Sequence, residues 1–494
     1  MQINESQINA IIDRVVANLN QQTDRPNLHI PPLLATTASA SRKKGGEGGF
    51  SDTKDSLTYP GVFEDIDQAI VAAQQAFLDF RDISIDRRKK IISAIRNICR
   101  ENIKNLASQA VEETKLGRYE DKLKKNELAI EKTPGVEDVF PQAFSGDYGL
   151  SLQEPAPFGV VGSITPCTNP TETIICNGIG MIAGGNSAVF NPHPTAKKTS
   201  AYVVSLLNKA IISEGGPPNL LTMITNPTID SAQYMMKHLG IRLLVVTGGP
   251  AVVKQAMSSG KRVVAAGPGN PPVVVDETAD IEKAGKDIVA GSSIDNNIVC
   301  VIEKEIIAVN KIADELKEAL KAGGGVELTR LQVQRLEKII LDPDGKHPKK
   351  DWVGKNIQLI LKEIGMEVDE GKRLAFAETP PDHPFATVEM LLPVVPLIRA
   401  HDVDEAIELA YKLEGGCFHT AGMHSKNIEN LHKMAVKMNT SIFVKNAPFY
   451  AGLGLGGEGP CSFTIASPTG EGLTTARHFT RMRRCVVAGY FRIT

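Results

Sequence analysis

A thiol delivered to the foot of a strand can act as a nucleophile, and Cys300 is placed that way. The stretch Ser292-Ser293-Ile294-Asp295-Asn296-Asn297-Ile298-Val299-Cys300 leaves a predicted helix and brings the cysteine to the start of the next strand. The loop before it can supply backbone N–H groups to a cleft. A lone cysteine is more often a small core residue, so the case rests on its neighbours. The other cysteines, at 99, 167, 176, 417, 461 and 485, form no CxxC pair and no His/Cys cluster with metal spacing. Free thiols of this kind fit a reducing cytosol, with most of them buried and inert.

Chemistry of this kind needs a frame. From Gly159 to Ala265 short apolar runs alternate with amphipathic ones. Strands are predicted over 159–164, 186–190, 220–224, 241–246 and 262–265, with helices over 170–183, 196–212, 231–239 and 251–258. The alternation predicts an α/β fold with a parallel, doubly wound, Rossmann-like sheet. Such sheets bind ligands at the carboxyl ends of their strands. The ends here are Thr165-Pro166-Cys167-Thr168-Asn169-Pro170, Asn191-Pro192-His193-Pro194, Thr247-Gly248-Gly249 and Gly267-Pro268-Gly269-Asn270. A second alternation follows, with strands over 273–275, 305–309, 393–398, 421–424 and 441–444, helices over 280–292 and 311–322, and a charged helical insertion over 328–365. Residues 66–133 read as helical, with many Lys, Glu and Arg on outer faces.

The chain has 494 residues, 42% hydrophobic and 23% charged, enough for two or three cored domains. A net charge of −2 gives no reason to expect nucleic acid or an anionic membrane. The most apolar run, Met390 to Ile398, is too short to span a bilayer and is broken by two prolines. The first residues lack the pattern of a secretory signal. Ile8, Ile11, Ile12, Val15, Val16 and Leu19 make one apolar stripe at helical spacing, and residues 21–57 read as a flexible tether rich in Pro, Gly and Ser. A helix there either packs on its own domain or docks on another protein, and the tether's length favours docking.

In order along the chain, Pro166-Cys167-Thr168-Asn169-Pro170, Val246-Thr247-Gly248-Gly249, Gly267-Pro268-Gly269-Asn270-Pro271, Asn297-Ile298-Val299-Cys300 and Glu389-Met390-Leu391-Leu392-Pro393-Val394 resemble the signature segments of the aldehyde dehydrogenase superfamily. The resemblance runs from about Ile66 onward and implies that family's fold. It implies Cys300 as nucleophile and Asn169 as oxyanion donor. Thr165, Pro166, Asn191, Pro192, His193, Thr247, Gly248, Gly249, Ala266 and Gly267 would bind the cofactor, and Glu389 the nicotinamide ribose.

The departures point to a branch. Where hydrolytic members carry a water-activating Glu, this chain has Ala265, which leaves a Cys thioester to a better nucleophile such as the thiol of coenzyme A. The Lys and Glu that usually hold the adenosine ribose are replaced by Asn191 and Pro194. Together with Thr440 to Asn446 and Ser467 to Gly472, these segments resemble the CoA-acylating propionaldehyde and acetaldehyde dehydrogenases of bacterial microcompartments. Pro170-Thr171-Glu172-Thr173 is slightly closer to the propionaldehyde type. Gly415-Gly416-Cys417-Phe418-His419-Thr420 resembles the segment whose His is implicated in thiol activation. His419 is therefore the candidate base, against a plain buried-turn histidine.

The resemblance further implies NAD and coenzyme A as cofactors and a short-chain aldehyde as substrate. It implies a homo-oligomer, dimer or tetramer, that exchanges an arm over 139–156. Residues 1–20 would target microcompartment shell proteins and so place the enzyme in the compartment lumen. The expected division is 58–267 for the cofactor domain, 268–455 for the catalytic domain and 456–494 for a segment returning to the first. A hydrolytic aldehyde dehydrogenase is the alternative enzyme; Ala265 counts against it. A non-catalytic docking scaffold would not need Asn169, Cys300 and Glu389 together, and an acyltransferase without redox chemistry would not bind NAD.

Overall fold

The computed structural model describes residues 59–490. The apolar stripe of residues 1–20 and the tether of 21–57 lie outside the described residues. Eight strands come first: β1 Val62–Phe63, β2 Gln142–Gly146, β3 Gly149–Pro157, β4 Val160–Thr165, β5 Ser187–Pro192, β6 Leu221–Ile224, β7 Leu243–Thr247 and β8 Arg262–Ala266. Six of them form one parallel sheet in the order β1-β6-β5-β4-β7-β8. The chain moves outward from β4 through β5 to β6, then crosses to the other side of β4 for β7 and β8. That reversal opens a crevice at the carboxyl ends of β4 and β7.

Both faces of this sheet are covered, which is why its strands read as unbroken apolar runs. Val161, Val245 and Phe190 pack into one core with the helix Pro170–Ala183. Val160, Leu244 and Val246 pack into the other with Met235 and Ala256. The register aligns Thr165 with Pro192 and Thr247 with Ala266, so the predicted strand ends arrive at one edge.

The second sheet is built from β9 Pro272–Val275, β10 Glu305–Val309, β11 Gly325–Glu327, β12 Leu374–Glu378, β13 Val394–Ala400, β14 Thr420–His424 and β15 Ile442–Lys445. It is parallel throughout, in the order β11-β12-β13-β10-β9-β14-β15. The charged insertion forms the helices Arg330–Ile340 and Ile357–Lys362 over their own small core. After the pair β16 Ile465–Ala466 and β17 Gly472–Leu473, the final strand β18 Thr480–Ala488 pairs antiparallel with β3, and β3 with β2. This three-stranded ribbon contains most of the 139–156 arm. No helix among the described residues is long and apolar enough to cross a membrane.

In the helix Tyr119–Lys132 three charged residues, Asp121, Lys122 and Lys125, are nevertheless buried. Their partners come from segments distant in sequence, which local patterning does not reveal.

Candidate active site

A cleft of about 570 Å³ opens at the carboxyl edge of the first sheet. Its wall carries Thr165, Pro166 and Asn169 at the end of β4, Asn191, Pro192 and His193 at the end of β5, Thr247, Gly248 and Gly249 at the end of β7, and Gly267 just after β8. Cys300 and Glu389 come from the second sheet's loops. Ala266 is buried, pairs in register with Thr247 and is not among the lining residues. Cys167 is on the wall, and Thr165 Oγ1 faces no hydrogen-bond partner among the described groups. The C-terminal segment returns here as well: Thr464 shares a 3.0 Å hydroxyl contact with Thr247, and Thr469 Oγ1 accepts from the Ala265 N–H at 2.9 Å.

Sequence reasoning missed part of the wall. Ile229, Ala232 and Gln233 come from the helix Ile229–Lys237, and Val252 and Gln255 from the helix Pro250–Met257. Both helices were expected, but their cleft-facing residues belong to no motif. Phe463 and Leu391 complete the wall. The glycine-rich loop 452–457 is not on this wall. Lys132 ties it down by donating to the Gly454 and Gly457 carbonyls at 2.7 Å each.

Cys300 is half-buried, and its thiol is pushed up to about 12. Burial is the main cause, the Glu389 carboxylate adds to it, and the Lys304 ammonium pulls weakly the other way. Glu389 is itself raised by burial, with Lys304 opposing. Asn169 occupies the N-cap position of the helix Pro170–Ala183, yet its side chain makes no capping bond. The amide bonds elsewhere: its Oδ1 accepts from Lys125 Nζ at 2.6 Å and its Nδ2 donates to Thr168 Oγ1 at 3.2 Å.

His419 is fully buried and off the cleft wall. Its N–H donates to Glu414 Oε1 at 2.8 Å, its Nδ1 lies 2.9 Å from Thr420 Oγ1, and its Nε2 has no partner among the described residues. Burial, then Lys304, lowers the imidazole to about 4, so it is neutral at pH 7. Between His419 and the nucleophile loop sits Gly269. A Cβ there would lie 2.7 Å from the Cys300 carbonyl oxygen and 2.9 Å from His419 Cγ.

Cys300 and Asn169 line one crevice at the carboxyl edge of a doubly wound sheet, the place where this class of fold binds dinucleotides. The model of the aldehyde dehydrogenase family matches residues 61–459, and the chain belongs to that family. Within it, the chain is 51% identical over 438 residues to the acetaldehyde dehydrogenase (acetylating) EutE of Salmonella typhimurium, covering 88% of this chain and 93% of that protein. The Rhodopseudomonas palustris propionaldehyde dehydrogenase, solved with bound CoA and an acylated cysteine, superimposes with a TM-score of 0.86 at 49% identity, over 88% of this chain and 99% of that one. A propionaldehyde dehydrogenase from the fucose utilisation bacterial microcompartment of Clostridium phytofermentans gives 0.86 at 48% identity, over 88% and 100%.

Proposed function

We propose that this chain oxidises a short-chain aldehyde, acetaldehyde or propionaldehyde, with NAD, and passes the acyl group from Cys300 to coenzyme A. One observation carries the acylating branch. Among the described residues lining the cleft, Glu389 is the sole carboxylate, and the position of the hydrolytic Glu is Ala265, buried in the sheet core. The carboxylate that activates water in the hydrolytic branch is thus replaced here by a methyl group.

The chain's own residues divide the work. Cys300 Sγ attacks the aldehyde carbonyl, and the Asn169 amide with the Cys300 backbone N–H holds the resulting oxyanion. One such donor is worth about 3–4 kcal/mol in the transition state. NAD, when bound, supplies the hydride acceptor. The strand-end residues Thr165, Pro166, Asn191, Pro192, His193, Thr247, Gly248, Gly249 and Gly267 would hold it, and Glu389 would hold its ribose. The unpartnered Thr165 hydroxyl on the wall fits such a guest. The thiol of CoA then attacks the Cys300 thioester; the acyl–Cys300 bond breaks, and acyl-CoA forms. We assign the thiol proton to His419. An imidazole near 4 and a thiol near 12 do not form a standing ion pair, so proton transfer accompanies attack.

The strip between Ala266 and Pro272, where one sheet ends and the other begins, supports the division at 267/268. Residues 1–20 are proposed to dock on microcompartment shell proteins and place the enzyme in the lumen. The microcompartment origin of one similar structure supports this. Exposed Phe144, Met482 and Val486 on the β2/β3/β18 ribbon support a homo-oligomer built through the arm. Truncation of residues 1–20 should leave catalysis intact and abolish co-purification with shell proteins; persistent co-purification defeats the docking reading.

The central test follows NADH and acyl-CoA together, for both aldehydes, with and without CoA. Sustained NADH release is expected only with CoA, matched by acyl-CoA. Full-rate production of free acid without CoA would establish the hydrolytic alternative.

A further inference from the structure

A cation is buried directly behind the amide of Asn169. Lys125 Nζ donates to Asn169 Oδ1 at 2.6 Å and lies 2.5 Å from Asp295 Oδ2 and 3.5 Å from Glu172 Oε1. Lys122 Nζ joins the same carboxylate at 2.8 Å and donates to the Thr168 carbonyl at 2.7 Å. All four charged side chains are nearly or wholly inaccessible. Burial alone would lower the Lys125 ammonium, but Asp295 and Glu172 outweigh it and the net direction is upward, so Lys125 stays charged at pH 7. Burial likewise opposes the Asp295 carboxylate, which Lys122 and Lys125 hold below its usual range.

An ammonium has three donors and no acceptor. The amide end that meets it must be the oxygen; the flipped amide would set an NH₂ against the cation. The other end, Nδ2, is thereby turned away from Lys125, 3.2 Å from Thr168 Oγ1 on the cleft wall. A cation on the carbonyl oxygen also draws electron density from the amide nitrogen. Its N–H becomes a stronger donor, more so where little water screens it.

Resting on the reading of Asn169 as oxyanion donor, we propose that Lys125 is a positioning residue for the reaction: it fixes which end of the Asn169 amide faces Cys300 and strengthens that donor. The rival is a purely structural ion cluster. The two separate because a positioning residue acts only through Asn169.

The test is a double-mutant cycle of Lys125→Met and Asn169→Ala. It is read on acylation of Cys300 by p-nitrophenyl acetate. This ester passes through a tetrahedral oxyanion at the same thiol and needs neither NAD nor CoA. Asn169→Ala should slow the nitrophenolate burst about a hundred-fold, and Lys125→Met about ten-fold or more. The double variant should be no slower than Asn169→Ala alone. Multiplying effects, or a normal burst in Lys125→Met, would overturn the proposal. If Lys125→Met does not fold, Lys125→Met with Glu172→Gln removes one cation and one carboxylate together, keeps the Lys122–Asp295 pair, and enters the cycle instead. The wild-type CoA dependence is measured on the same preparation. Its failure would sink the acylating assignment, whereas only the cycle decides the role of Lys125.

Discussion

Lys304 Nζ donates to both the backbone carbonyl of Asn297, at 2.5 Å, and its side-chain Oδ1, at 2.6 Å. Asn297 in turn donates its Nδ2 to the Ser292 carbonyl at 2.7 Å and the Glu303 carbonyl at 3.0 Å. The loop needs this grip. Asp295, Asn296 and Asn297 adopt φ of 48°, 54° and 67° in succession. Asp and Asn tolerate the left-handed region best among residues with a Cβ. Three in a row still set the direction from which Cys300 enters the cleft.

Lys304→Met should release that loop. Two acceptors lose a charged donor in a buried place, which costs about 2–3 kcal/mol. We expect a lower denaturation midpoint and slower acylation of Cys300. A variant with the wild-type midpoint and wild-type burst would show that the loop holds its shape unaided.

Cys300→Ala should abolish NADH formation, by about a thousand-fold or more, because the proposed thioester forms on its thiol. NAD binding, followed by quenching of protein fluorescence or by calorimetry, should stay within a factor of about three. Residual turnover near wild type would move the nucleophile to another cysteine, Cys417 first.

Alkylation of Cys300 by iodoacetamide should be slow at pH 7. Because the thiol is raised to about 12 in the free chain, the thiolate fraction climbs about ten-fold per pH unit below that value. The rate should keep rising up to pH 10 with no plateau. Glu389 pushes the thiol up, so Glu389→Gln should lower it and speed alkylation at any fixed pH in this range. A plateau near pH 8, or slower alkylation in Glu389→Gln, would contradict the electrostatics described for the cleft.

Gly269→Ala introduces a methyl group between the Cys300 carbonyl and the His419 ring, both closer than a Cβ allows. The Cys300 carbonyl on one side belongs to a turn ahead of β10, and His419 on the other is held by its backbone N–H on Glu414 and by its ring Nδ1 beside Thr420. Turnover should fall about ten-fold or more, with aldehyde KM changed less. Wild-type kinetics would mean that the two segments part without consequence and that their spacing does not matter for proton transfer.

Much of this arrangement was legible in the order of residues. The helix Pro170–Ala183 and the strand Glu305–Val309 fall where periodicity and apolar runs put them. The cleft collects Asn169, Cys300 and Glu389 from three separate motifs. Strand β18 escaped because its sequence, Thr480 to Ala488, packs no apolar face into the core; eight of its nine residues are exposed, so no burial pattern marks it. Lys122 and Lys125 escaped for the opposite reason. Spacing within Tyr119–Lys132 cannot reveal Asp295, 173 and 170 residues further on, which makes their burial tolerable. Ala266 was assigned to the cofactor from its motif; it is buried beside Thr247 and is not among the residues lining the cleft.

The two ammonium groups and two carboxylates behind Asn169 also constrain how this family branch diverges. Each position is sealed from solvent, so no counter-ion can stand in for a lost partner. Neutral drift at one of these sites is therefore barred unless another changes with it. Among homologues, Lys125 and Glu172, or Lys122 and Asp295, should disappear together or not at all. An alignment in which one member of such a pair varies freely while its partner stays fixed would show that water, not charge balance, keeps the set in place.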